Sequence, residues 1–171
     1  MTESAETDPA APLIEALAAA SQTLVAAESC TAGLVADRLA RIPGASRVFW
    51  GSFVTYAADA KERVLGVDPE LIRRRGAVSR ETALAMASGA LEKSGAHMAV
   101  SVTGLAGPDG DGSGQPVGTV WIGIARRGLP PEAVVRYFAG DRNAVREAAA
   151  AEAIAELLRT IYREEDRYAV N

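Results

Sequence analysis

The spacing of apolar residues along the first third of the chain switches between the periods of helices and strands. Residues 12–20 place apolar side chains on one helical face, and residues 23–27 form a short apolar run typical of a buried strand. Helical spacing returns over residues 31–41 and ends at a Pro-Gly pair. Residues 48–56, VFWGSFVTY, are rich in aromatic and β-branched residues and predict the clearest strand.

The remainder of the chain continues this alternation with four further helices and three further strands. A strand after residue 97, a Gly-rich loop over about 104–116 and a second strand form one unit, followed by a strand within 133–140. The predicted helices cover residues 57–66, a short segment starting at Asp68-Pro69, residues 79–94 with Ser79 as cap, and residues 141–167 with Asp141 as cap.

Interleaved helices and strands predict a single α/β domain. Because the segment 97–140 places strands next to each other without helices, the sheet is predicted to be mixed. The domain is expected to span residues 12–166. Residues 1–11, which are acidic and polar, are expected to form a flexible N-terminal tail.

Composition excludes several classes of function. The 171 residues carry a net charge of -4, which argues against binding to a nucleic-acid backbone. No apolar run reaches the roughly 18–20 residues of a membrane span, and the N-terminus lacks signal-peptide regions. A single cysteine and a single histidine exclude an internal disulfide and a thiolate or imidazole metal cluster. We therefore expect a cytoplasmic protein that binds neither nucleic acid nor membrane.

The sequence Glu28-Ser29-Cys30-Thr31 lies where a predicted strand passes into a helix. Free N–H groups at such a junction can stabilise an oxyanion, so Ser29 is a candidate nucleophile. The alternative is that Ser29 or Thr31 is a helix cap without catalytic function. Cys30 is a further candidate nucleophile, although a buried, inert thiol is the better interpretation because no basic residue is near it in sequence.

A serine nucleophile needs a base, and the use of lysine points to one. Only two of the 18 basic residues are lysines, Lys61 and Lys93. Lysine can lose its proton in a protein whereas arginine cannot, and a Ser–Lys pair is a known alternative to Ser–His. Lys61 follows Tyr56, which could relay a proton or orient the amine. The alternatives are that Lys61 lies on the surface and Tyr56 only packs at a strand end.

The Gly-rich loop is a possible ligand site, because glycines allow backbone N–H groups to approach an anion. It matches neither a P-loop nor a dinucleotide-binding fingerprint. Asp109 and Asp111 argue against a phosphate at its tip, so its base, Thr103 to Gly107, is the better candidate. The alternative is a long hairpin connection without a ligand.

Six sequence blocks, in order, resemble the CinA C-terminal domain family over about residues 12–162: AESCTAG, FVTYAADAKERVLGV, GAVSRETALAMASGAL, SVTGLAGPDG, PVGTVWIGIA and GDR. The resemblance implies a three-layer sandwich with a mixed sheet flanked by helices. It also implies an amidohydrolase that converts nicotinamide mononucleotide to nicotinate mononucleotide and ammonia, in pyridine-nucleotide salvage. Family members commonly self-associate, so a homo-oligomer is expected.

The resemblance also implies roles for individual residues. Ser29 would be the nucleophile and Lys61 the base, assisted by Tyr56, while N–H groups around Cys30 and Thr31 would hold the oxyanion. No cofactor or metal is implied. The residues expected to bind the nucleotide substrate are Thr103, Gly104, Ala106 and Gly107, together with Arg142 for the phosphate.

The chain departs from the family pattern at two places. Ala32 stands where the family usually has glycine, which would place a methyl group beside the proposed oxyanion site. Ala57-Ala58 stands where Ser-Asn is common, which removes two polar groups near Lys61. Two alternatives therefore stay open: a non-catalytic nucleotide-binding or interaction module, and a hydrolase of another small amide.

Overall fold

The computed structural model describes residues 8–169, which form six α-helices and five β-strands in the predicted order. The helices are α1 Ala10–Ala19, α2 Leu34–Ala40, α3 Ala58–Leu65, α4 Pro69–Arg75, α5 Arg80–Ser94 and α6 Arg142–Ala169. The strands are β1 Leu24–Glu28, β2 Phe49–Val54, β3 Met98–Gly104, β4 Thr119–Arg126 and β5 Glu132–Tyr137.

The strands form one mixed sheet in the order β2-β1-β3-β4-β5. Strand β1 is parallel to both β2 and β3, whereas β4 is antiparallel to both β3 and β5. Antiparallel pairing follows from the absence of helices between β3 and β5, since strands joined without a crossover pair in this way. The predicted single α/β domain with a mixed sheet is confirmed.

Side chains of β1 point alternately into two apolar cores. Leu24 and Ala26 pack with residues of α1, α2 and α6, whereas Val25 and Ala27 pack with residues of α3 and α5. This period of two is what a strand buried on both faces requires. The sheet therefore lies between two helical layers, and the three-layer sandwich is confirmed.

Two predicted boundaries are displaced at the N-terminal end. Helix α1 begins at Ala10, which is fully buried. The helix therefore starts two residues before the predicted residue 12 and includes the last two residues of the predicted tail. Residues 1–7 of that tail lie outside the described residues. Helix α2 begins at Leu34 rather than at residue 31, because Ala32 and Gly33 adopt left-handed backbone conformations with φ of 49° and 102°.

Helix α6 crosses one face of the sheet and packs against α1 and α2. It begins where expected, because the Asp141 carboxylate accepts hydrogen bonds from the backbone N–H groups of Asn143 and Ala144, each at 2.9 Å. Its other face is charged. No helix within residues 8–169 is long and apolar enough to cross a membrane.

Ala32 is expected to destabilise the fold through its backbone conformation. A left-handed φ costs an L-residue about 1–2 kcal/mol, and glycine avoids this cost. Part of the gain is lost because glycine gives the unfolded chain more conformational freedom. We expect Ala32→Gly to raise the free energy of unfolding by about 0.5–1 kcal/mol in urea denaturation. The control is Ala36→Gly inside α2, which should lower it by about 1 kcal/mol. Destabilisation by both changes would contradict the assignment of strain to Ala32.

Gly89 allows α5 to pack closely against the end of α3. Alanine normally stabilises a helix relative to glycine by about 1 kcal/mol, but a methyl group here would overlap the carbonyl oxygen of Leu65. We therefore expect Gly89→Ala to lower the free energy of unfolding by about 1–3 kcal/mol, as overpacking does. Ser88→Ala on the same helix should change it by less than about 0.5 kcal/mol. Stabilisation by Gly89→Ala would show that the two helices can separate easily.

Candidate active site

The candidate residues meet at the carboxyl ends of the parallel strands. Ser29 directly follows β1, and its backbone N–H donates to the carbonyl of Val102 in β3 at 2.9 Å. Thr103 and Gly104 end β3, and Tyr56 follows β2. Ligands of open α/β sheets bind in the crevice outside these strand ends. The topology therefore brings together segments that are far apart in sequence.

Ser29 and Lys61 form a buried, hydrogen-bonded pair. The Lys61 Nζ and Ser29 Oγ atoms are 2.9 Å apart, although 32 residues separate them in sequence. Only 1% of Lys61 is exposed, because α3 directs its side chain inward toward the end of β1. Lys61 is therefore not a surface residue, and the alternative interpretation of it is wrong.

The remaining partners of Lys61 are neutral. Its Nζ also donates to the backbone carbonyls of Thr55 at 2.8 Å and Tyr56 at 3.2 Å, and no carboxylate within the described residues pairs with it. Burial lowers the pKa of Lys61 to about 8, because the charged form loses its hydration. A neutral amine has two N–H donors and one lone pair. The two carbonyls can take the donors, which leaves the lone pair for the Ser29 hydroxyl.

Cys30 is buried next to this pair. Burial raises the pKa of its thiol to about 11, in spite of the opposing effect of the nearby Lys61 and Arg146 charges. The thiol is consequently protonated at neutral pH, whereas a cysteine nucleophile requires the thiolate. The raised pKa of the thiol, together with the contact between Ser29 and Lys61, favours Ser29 over Cys30 as the candidate nucleophile.

The start of α2 is capped by Glu28, which the sequence interpretation did not single out. Its fully buried carboxylate accepts hydrogen bonds from the backbone N–H groups of Gly33, Val35 and Ala36 at 2.8–3.1 Å and from the Ser52 hydroxyl at 2.9 Å. A carboxylate shortly before a helix start is favoured by the free N–H groups and the dipole there, and the position of Glu28 before the predicted helix was the signal that could have identified it.

Neither hydroxyl that was considered as a cap serves as one. The Ser29 hydroxyl contacts Lys61, and the Thr31 hydroxyl is fully buried with no hydrogen-bond partner among the described residues. Gly33 is the residue before α2 and has no side chain to donate or accept. The capping interpretation of Ser29 and Thr31 is therefore wrong.

The turn between β1 and α2 has two backbone N–H groups available. Ala32 N–H donates to the Ser29 carbonyl at 3.1 Å, Leu34 N–H donates to the Thr31 carbonyl, and the other N–H groups from residue 33 to 36 donate to Glu28. The Thr31 N–H has no acceptor within the part of the chain that the structure describes, and the Cys30 N–H has only the thiol of Cys30 itself. Free N–H groups beside a nucleophile are what an oxyanion site requires.

A pocket of about 260 Å³ opens onto the Ser29–Lys61 pair. Every residue predicted to bind substrate lines it: Thr103, Gly104, Ala106, Gly107 and Arg142. Cys30 and Tyr56 also contribute, whereas Thr31 does not. Leu105, within the predicted Thr103–Gly107 segment, lines the pocket as well, and the sequence interpretation did not assign a binding role to five further lining residues, which come from the α4–α5 connection and the Gly-rich loop. These are Ala77, Val78, Asp109, Gly110 and Asp111.

Tyr56 contacts the pair through its backbone rather than through its phenol. Its carbonyl accepts from Lys61, while its side chain is 55% exposed and its hydroxyl accepts from Arg142 Nη2 at 2.6 Å. Arg142 Nη1 also donates to the Gly107 carbonyl at 2.6 Å. The structure thus shows an orienting contact from Tyr56 and no direct proton relay to Ser29. Arg142 lies across the pocket between β2 and the Gly-rich loop.

Among the side chains that the structure describes, no group of three or more His, Cys, Asp or Glu is arranged to hold a metal ion. Thr103 contributes to the pocket wall, and its hydroxyl donates to the Ala77 carbonyl at 2.7 Å. The polar side chains that line the pocket are a serine, a cysteine, a tyrosine, a lysine, an arginine, a threonine and two aspartates.

The chain is similar to curated proteins over most of its length. A CinA-like protein of Akkermansia muciniphila is 48% identical over 132 residues, which are 77% of this chain and 32% of that protein. A CinA-like protein of Geobacter sulfurreducens is 46% identical over 139 residues, covering 81% and 33%. The chain thus spans about a third of the length of the curated relatives it matches.

Solved structures match over nearly the whole chain. A CinA superfamily protein from Escherichia coli has a TM-score of 0.88 and 34% identity, covering 93% of this chain and 94% of that one. The competence/damage inducible protein CihA from Agrobacterium tumefaciens has a TM-score of 0.85 and 41% identity, covering 90% and 93%. The profile of the CinA C-terminal domain matches residues 6–161. The chain belongs to the CinA C-terminal domain family.

Proposed function

We propose that this protein hydrolyses the carboxamide of nicotinamide mononucleotide to give nicotinate mononucleotide and ammonia. The observation that carries the proposal is the 2.9 Å contact between Ser29 Oγ and a buried Lys61 Nζ without a carboxylate partner in the described residues. Such a lysine is available as a general base near neutral pH. The identity of the substrate is inferred from the resemblance to the family.

The reaction starts with proton transfer from Ser29 to neutral Lys61, without a relay through Tyr56. Ser29 Oγ attacks the carboxamide carbon, and the N–H groups of Cys30 and Thr31 stabilise the resulting oxyanion. Protonated Lys61 then gives its proton to the departing nitrogen, and ammonia leaves. Lys61 next takes a proton from water, which attacks the acyl-enzyme, releases the carboxylate product and restores Ser29.

The pocket offers groups suited to the rest of a nucleotide. Arg142 is the cationic side chain in its lining that is not part of the reactive pair, so it is the residue proposed to bind the phosphate. To do so, its guanidinium would exchange the Tyr56 hydroxyl or the Gly107 carbonyl for phosphate oxygens. The wall from Thr103 to Gly107 would contact the ribose or the pyridine ring.

The roles of the pair are tested by ammonia release from nicotinamide mononucleotide. We expect Ser29→Ala and Lys61→Met each to lower kcat by at least about 10³-fold, because each change removes a group that takes part in bond making. Lys93→Met is the matched control, since it removes the other lysine from an exposed position on α5 and should retain wild-type activity.

Circular dichroism confirms folding of each variant. No ammonia release by the wild-type protein at high enzyme concentration would reject the substrate. Activity that survives both Ser29→Ala and Lys61→Met would leave the reaction in place and reject the roles given to the pair.

The pH dependence of kcat/KM reports the base of the free enzyme. Because burial lowers the pKa of Lys61 to about 8 and the neutral amine is the active form, the rate should rise with pH. We expect an increase of about tenfold per pH unit below 8 and a plateau above it. Cys30→Ala should leave this inflection in place, since the thiol has a pKa of about 11. A profile that is flat between pH 6 and 9 would contradict a lysine base.

A further inference from the structure

Arg146 of α6 contacts the turn that carries the nucleophile. Its Nε donates to the Cys30 carbonyl at 3.0 Å and its Nη2 donates to the Thr31 carbonyl at 3.1 Å. These contacts join residues that are more than a hundred positions apart in sequence. Arg146 does not line the pocket, so it acts on the site through the turn.

The two contacts fix the orientation of a peptide group. In a trans peptide the C=O and N–H bonds point in opposite directions. Because Arg146 holds the Cys30 carbonyl, the Thr31 N–H is directed away from α6. The Ser29 carbonyl is occupied by Ala32 N–H on the other side of the turn. The turn is thus held at successive carbonyls, while the Thr31 N–H is left without an acceptor among the described residues and the Cys30 N–H has only its own thiol.

Arg146 also brings a positive charge close to the site. Its other contact is with the neutral side chain of Asn143, and no carboxylate in the described part of the chain pairs with it. The field of an unneutralised guanidinium favours negative charge that develops on a nearby oxygen. This charge and the orientation of the peptide act in the same direction.

We propose that Arg146 is a positioning residue that aligns the Cys30–Thr31 peptide with the oxyanion of the tetrahedral intermediate. This inference rests on the proposed function, in which Ser29 attacks a carboxamide. An oxyanion donor acts mainly in the transition state, so Arg146 should govern kcat much more than KM.

A purely structural tether predicts a different result, and the chain contains a matched control for it. Arg38 of α2 also contacts α6, through a salt bridge to Glu147 at 2.9 Å. It joins the same two parts of the fold without contacting the Cys30 or Thr31 carbonyl. Arg38→Met therefore removes a tether of similar kind and leaves the peptide orientation unchanged.

The first experiment compares ammonia release from nicotinamide mononucleotide by three variants. Arg146→Met should lower kcat about 10²- to 10³-fold, as loss of an oxyanion donor does, with KM within about threefold of the wild type. Arg146→Lys keeps the charge and can reach one carbonyl, so its kcat should lie between those of Arg146→Met and the wild type. The kcat of Arg38→Met should stay within about threefold of the wild-type value. A wild-type kcat for Arg146→Met would overturn the proposal. An equal loss of kcat in Arg146→Met and Arg38→Met would also overturn it.

The second experiment does not depend on the natural substrate. A fluorophosphonate probe reacts when Ser29 Oγ bonds to phosphorus and fluoride leaves, and its phosphoryl oxygen uses the same donors. The labelling rate should fall at least about tenfold in Arg146→Met and stay near wild type in Arg38→Met. Labelling that falls as predicted while the wild type releases no ammonia would reject the substrate and retain the role of Arg146. Equal labelling of wild type and Arg146→Met, or no labelling of the wild type, would overturn that role.

Discussion

The buried carboxylate of Glu28 is the interaction on which the site depends. It joins three elements, because it ends β1, accepts three N–H groups at the start of α2 and accepts the hydroxyl of Ser52 in β2. Hydrogen bonds to a charged group contribute about 1.5–3 kcal/mol each, and a buried carboxylate without them would be strongly unfavourable. The intervening turn must therefore keep its shape, and Ser29 is the first residue of that turn.

The surroundings of Lys61 differ from those of Glu28, because they do not stabilise its charged form. Its ammonium is buried without a carboxylate partner in the described residues, so the folded state favours the neutral amine and the pKa falls to about 8. An acidic neighbour would stabilise the ammonium and raise its pKa, which would remove the base. Glu28 lies one residue from Ser29, yet its oxygens are taken up by α2 and β2. The arrangement separates the charge that stabilises the turn from the amine that serves the reaction.

The sequence was sufficient for the order of the elements and the mixed sheet, and together with the family resemblance it identified part of the pocket lining. Apolar periodicity and strand adjacency carried the first two, and the scarcity of lysine pointed to Lys61 before any resemblance was considered. Local patterns did not reveal Arg146, because its partners lie more than a hundred residues away. They also misassigned the cap of α2, since a serine and a threonine at a helix start satisfy the same preference that Glu28 fulfils here.

The two departures from the family pattern affect helix starts more than chemistry. Ala32 is exposed and does not line the pocket, so its methyl group does not enter the site as expected, and its left-handed backbone is the feature that differs from glycine in energy. Ala57 is the residue before α3 and provides no side-chain cap for it, where a serine could supply one. Helix α2 begins beside Ser29 and α3 carries Lys61. Both departures therefore reduce the stability of the elements that position the pair, while the 2.9 Å contact between Ser29 Oγ and Lys61 Nζ is kept.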